Sequence, residues 1–129
     1  MFLRYNIFAI AWGILVLFLT LFPGQEMPDL SVWDMFSFDK FAHIFVFAVQ
    51  VFLLIVGFTK QYTFDTLRKH PVRYAILFSF LLGFLIEFFQ SLIPGRGFDY
   101  FDLVADFVGC VLGWVGFYFV YQFRSEYNE

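Results

Sequence analysis

Four long apolar runs alternate with polar connectors along the chain. The runs are Tyr5–Phe22, Phe41–Phe58, Arg73–Ile93 and Leu103–Tyr121. Each approaches the ~20 residues that a helix needs to cross a ~30 Å hydrocarbon core. A closed barrel takes at least about eight strands, so helices are the only way for so few spans to satisfy their backbone in lipid. The pattern predicts an all-α integral membrane bundle of four transmembrane helices, forming one domain over residues 1–129. Arg4 and the first run resemble a signal peptide. The run ends at Pro23-Gly24-Gln25 without a small-x-small cleavage site, however, and is read as a retained helix.

The connectors refine this picture. Pro23–Lys40 is acidic and aromatic. Ser31 and Asp34 have capping-box spacing, and Leu30, Trp33 and Phe36 could share one face, so a short interfacial helix is expected in this first outer loop. Thr59–Val72 is basic, with Lys60, Arg68, Lys69 and His70 before Pro71. The third connector is the short Pro94-Gly95-Arg96-Gly97-Phe98. Lys and Arg are enriched in cytoplasmic loops. Arg4, Lys60, Arg68, Lys69, Arg73 and Arg124 fall on one side of this topology, and only Lys40 and Arg96 on the other. Both termini are therefore expected in the cytoplasm, and the first and third connectors outside.

Composition agrees. The chain is 61% hydrophobic, with 23 phenylalanines and only 15% charged residues, whereas a soluble domain carries about 25% charged. A net charge of -3 excludes a nucleic-acid partner as the reading of first choice. The bilayer is the expected surrounding. The lone Cys110, in an apolar run, can form no disulfide within the chain and is expected as a buried inert thiol.

Against this background nine polar positions stand out, because ionisable groups in or beside membrane spans are costly and mark sites. Topology brings Asp39, Lys40, His43, Glu87, Gln90, Arg96, Asp99, Asp102 and Asp106 to the outer leaflet. Asp39 and His43 are four residues apart and share a helix face. Glu87 follows a purely apolar stretch about six residues, or roughly 9 Å, from its helix end. Gln90 lies one turn further on, and Ser79 and Gly83 continue the stripe inward. Asp99, Asp102, Asp106, Gly109, Gly113 and Gly116 recur at steps of three and four. The glycines are of the small-xxx-small type and could dock another helix, in a homo- or hetero-oligomer. Each feature has a plainer alternative: Asp39 and Asp99 as helix caps, Asp102 as a first-turn acid, Glu87 as a structural hydrogen bond.

Five carboxylates facing Lys40, Arg96 and His43 cannot all stay ionised and unpaired in a small cavity. A divalent metal held by Asp, Glu and His is one solution; an ion-pair network is the other. No dense ligand motif, Gly-rich phosphate loop, C-x-x-C or G-x-S-x-G is present.

The ordered set Asp39-Lys40-x-x-His43, Glu87-x-x-Gln90, Arg96-x-x-Asp99-x-x-Asp102 and Gly109-x-x-x-Gly113 resembles the VanZ-like family, named for a protein linked to teicoplanin resistance in bacteria. The resemblance covers about Phe38–Gly116. It implies a small bacterial cytoplasmic-membrane protein of four to five helices with a cell-envelope role, and supplies no reaction. The family usually carries Asn where this chain has Asp106, which adds a carboxylate.

The resulting expectation is an outward-facing polar cavity that binds, and could modify, an anionic envelope molecule: a lipid-linked phosphate or a glycopeptide-type cell-wall precursor. His43, Glu87, Asp102 and Asp106 would carry acid–base chemistry, and Asp39, Lys40, Gln90, Arg96 and Asp99 would hold the ligand. The alternative is a non-enzymatic helical subunit whose polar cluster is structural and whose glycine face docks a partner. Ion transport is disfavoured by small size and by an inner half expected to lack polar residues.

Overall fold

The computed structural model describes residues 1–21, 32–94, 98 and 100–126, with residues 32–39 and 122–126 described by backbone alone. Five helices follow one another: α1 (Phe2–Leu21), α2 (Val32–Lys60), α3 (Asp65–Lys69), α4 (Pro71–Ser91) and α5 (Tyr100–Glu126). Four segments are long and apolar enough to cross a membrane: Phe2–Leu21, Lys40–Lys60, Pro71–Ser91 and Tyr100–Tyr121. The protein is an all-α, multi-pass membrane bundle, as the apolar runs predict. The Met1 ammonium donates to Thr63 Oγ1 at 3.3 Å. The N-terminus therefore lies beside the α2–α3 connector.

The helix signal at Ser31–Phe36 takes a different form from the short separate helix expected. From Val32 the backbone runs unbroken to Lys60. No proline interrupts this stretch, and its only glycine, Gly57, comes near the far end, so nothing stops a helix once it starts. At 29 residues, α2 is about 43 Å long and projects beyond a single span.

The second connector contains α3, which periodicity alone does not announce. Asp65 in its first turn pairs with Lys69 in its last at 2.6 Å, and both charges oppose the helix dipole. Gln61 braces the approach: its Nε2 donates to the Phe64 carbonyl at 2.7 Å, and the Phe64 N–H donates to its Oε1 at 2.8 Å. Pro71 opens α4 at a position where its missing N–H costs nothing.

α2 is the central helix. It packs on α1, α4 and, most extensively, α5. The core is built from Val16, Phe47, Val51, Ile55, Phe58, Ala75, Ile86 and Cys110, and the thiol is buried as expected. Outward-facing leucines, valines and phenylalanines present an apolar surface suited to lipid.

The glycine stripe of α5 corrects one expectation. A Cβ at Gly109 would lie 2.4 Å from the Ile44 carbonyl oxygen, and one at Gly113 would lie 2.4 Å from that of Ala48. The close approach is made by α2 of the same chain, so Gly109 and Gly113 are not free to dock another protein. Only Gly116, with nothing within 4 Å, remains open. α1 meets α2 the same way, since a Cβ at Gly57 would fall 2.1 Å from Asn6 Oδ1.

Candidate functional site

The close α2–α5 crossing places the polar ends of both helices side by side, opposite the N-terminus. Lys40 and His43 come from α2, Asp102 and Asp106 from α5, and Glu87 from α4. Lys40 Nζ donates to Asp102 Oδ1. His43 Nδ1 lies 2.6 Å from Asp106 Oδ1, and its Nε2 lies 3.8 Å from Asp102 Oδ2. Asp102 thus has one oxygen on the lysine and the other facing the imidazole. The imidazole ring lies parallel to that of Phe47, with centroids 6.5 Å apart and 7° between planes.

Glu87 completes the group from the third helix. One donor atom from each of His43, Glu87 and Asp102 can be chosen so that all lie within 4.8 Å of one another. Glu87 and Asp106 are 0% exposed, Asp102 6% and His43 8%. Gly83 makes the α4–α5 approach feasible: a Cβ there would stand 2.6 Å from Asp106 Oδ2. The glycine in the Ser79–Gly83–Glu87 stripe therefore makes room for a carboxylate of α5.

Of the nine positions singled out in the sequence, Lys40, His43, Glu87, Asp102 and Asp106 converge. Gln90 is used differently: its Nε2 donates to the Thr20 carbonyl at 2.7 Å, satisfying an open acceptor at the end of α1. Arg96, Asp99 and the Asp39 side chain lie outside the described residues.

The arrangement has definite chemical capacities. Asp106 on Nδ1 orients the imidazole and leaves Nε2 for proton transfer or metal ligation. Three carboxylates around one lysine and one histidine suit a cation or a shared proton better than a bare anion. An imidazole held through one nitrogen by a carboxylate, as His43 is by Asp106, matches the outer-shell pattern of metal-binding histidines.

Sequence reasoning passed over a second group. Asn6, Gln50 and Gln61 are buried, as is Ser79 of the Glu87 stripe, so the expectation that the inner half lacks polar residues does not hold. For Asn6 and Gln50 the signal was present: single amides inside otherwise apolar spans, which in lipid must find partners within the protein.

A family model described as VanZ/LLP1 matches residues 4–121. The chain belongs to the VanZ/LLP1 family. The match spans all four membrane helices, and both halves of the polar cluster lie within it. This VanZ/LLP1 chain is also similar to the uncharacterized protein C11E3.10 of the fission yeast Schizosaccharomyces pombe, 41% identical over 75 residues. The aligned part is 57% of this chain and 43% of the yeast protein, so the chain spans less than half the length of that curated relative. No solved structure matches.

Proposed function

We propose that the cluster holds a divalent cation and, through it, the phosphate of a lipid-linked or other anionic membrane ligand. The observation that carries this reading is His43, held through Nδ1 by Asp106 with Nε2 3.8 Å from Asp102 Oδ2, and grouped with Asp102 and Glu87 as three possible ligands. Donors about 2.0–2.2 Å from one ion stand no more than about 4.4 Å apart. Here the three lie within 4.8 Å, so a contraction of a few tenths of an ångström would close the site. Nitrogen and oxygen donors without sulfur suit Mn²⁺, Fe²⁺, Zn²⁺ or Mg²⁺. Three protein ligands leave positions open for phosphate oxygens, and the metal removes the conflict between an acidic cluster and an anionic ligand. Lys40, and Arg96 in the connector after α4, would add positive charge to the ligand's approach.

The cation bias supports an outer-leaflet position for the cluster. In a bacterium both termini would be cytoplasmic and the membrane would be the inner one. A C-terminal reporter that requires the cytoplasm should be active; activity only outside would reverse the site's orientation. A part in glycopeptide resistance would follow if the ligand were a cell-wall precursor. Similarity to a yeast protein favours the lipid phosphate, a ligand class that bacterial and eukaryotic membranes share.

One observation favours a second reading. Lys40–Asp102 and His43–Asp106 tie α2 to α5, so the cluster could serve the fold alone. Thermal unfolding in detergent separates the two. Mn²⁺ with a polyprenyl phosphate should raise the midpoint of the wild type, an effect abolished by EDTA and absent from His43→Asn and Glu87→Gln. A response unchanged by EDTA, or kept by Glu87→Gln, would contradict the proposal. Loss of folding in both variants, with no wild-type response, would establish the structural role.

A further inference from the structure

The other half of the bundle contains a cavity of about 310 Å³ between α1, α2, α3 and α4. Its walls are mostly apolar, including Ile10, Leu54, Phe58 and Phe78, but Asn6, Gln50 and Ser79 also line it. These three are 1%, 5% and 1% exposed. Each carries a buried polar atom without a hydrogen-bond partner: Asn6 Oδ1, Gln50 Oε1 and Ser79 Oγ. Three such atoms on residues that line one cavity are unusual, because nearly all buried polar groups are satisfied.

The chemistry of the unmet groups is defined. Asn6 Nδ2 donates to the Phe2 carbonyl at 3.0 Å, and Gln50 Nε2 donates to the Ala9 carbonyl at 3.3 Å. A carbonyl can only accept, so both amides must turn their N–H groups there, and the oxygens left over are acceptors. Ser79 can donate or accept. No charged side chain lines the cavity, so a ligand's ion would be stranded in an apolar space. The complement is a neutral donor on an apolar body. The volume lies at the small end of the range for ligand sites.

We infer that this cavity binds a neutral amphiphile, a hydrocarbon chain bearing a hydroxyl group, with the hydroxyl bonded to an unmet polar group of its lining residues. Acylglycerols, fatty alcohols and polyprenols all carry that chemistry. The site is separate from the histidine cluster in residues and in charge.

The test uses the purified full-length protein in detergent, with thermal unfolding read against 1-decanol, decane, decanoate and a monoacylglycerol. 1-Decanol should raise the midpoint saturably, and decane and decanoate should do so far less. A monoacylglycerol response would identify an acylglycerol source; its absence beside a decanol response would point to simple or isoprenoid alcohols. Ser79→Ala has no hydrogen bond to lose, so it should fold like the wild type yet bind decanol roughly fivefold more weakly, the scale of one hydrogen bond. Gln50→Leu should weaken binding further, and Gly116→Leu, at a position with open space around it and outside the cavity lining, should leave it unchanged. Equal shifts in wild type and Ser79→Ala, decane as effective as decanol, or no shift in the wild type would each overturn the inference and leave a cavity holding water or detergent only.

Discussion

Gly109→Leu should leave almost no folded protein. The new Cβ would meet the Ile44 backbone oxygen at 2.4 Å, with the Ile44 carbonyl carbon and Cα both at 3.1 Å. Those are backbone atoms, so no rotamer change relieves the clash, and α2 and α5 would have to separate along their whole contact. Overpacking of side chains costs about 1–3 kcal/mol; a clash with backbone at the bundle's largest contact should exceed about 4 kcal/mol. Gly116→Leu, with open space around it, should change stability by no more than about 0.5 kcal/mol. Fluorescence-detected size exclusion of both variants checks this. A monodisperse Gly109→Leu would show that the α2–α5 crossing is misplaced, and with it the site that the crossing assembles.

The second large effect concerns metal affinity. Glu87 and Asp102 are ligands in the proposed centre, whereas Asp106 acts through His43. Glu87→Gln keeps shape and hydrogen bonding but loses the anionic oxygen, so Mn²⁺ affinity should fall by about 100-fold or more. Asp106→Asn should still accept from His43 Nδ1 while losing the charge behind the imidazole, and should cost about 10–100-fold, as outer-shell changes do. Asn has the shape of Asp, so this variant should fold well. Titrations followed by manganese paramagnetic resonance measure both. Equal losses in the two variants would contradict the division into ligand and positioning residue.

The sequence made some of this legible and hid the rest. Existence of the spans was plain, because runs of about 20 apolar residues have few other meanings. Their limits were less so: α2 starts at Val32 rather than near Phe41, because the polar stretch before the span still holds no helix breaker. The convergence of His43, Glu87, Asp102 and Asp106 followed from three- and four-residue spacing combined with alternating topology. Identity of the contacts did not follow. Spacing shows that Gly109 and Gly113 favour a close neighbour, but whether that neighbour is α2 or a second protein depends on helix rotation and packing. Gln90 shares a stripe with Glu87, yet its long side chain reaches the end of α1 instead. Asn6 and Gln50 were visible as lone amides, but their shared cavity comes from the meeting of α1, α2 and α4.

The account stands most directly on metal stoichiometry. Protein purified without added metal, stripped with EDTA, re-equilibrated with Mn²⁺ or Zn²⁺ and freed of excess should retain close to one divalent ion per chain by elemental analysis. Glu87→Gln, folded to the same extent, should retain almost none. A wild type that folds normally and retains no ion would contradict the metal centre and leave the cluster as a structural clamp between α2, α4 and α5.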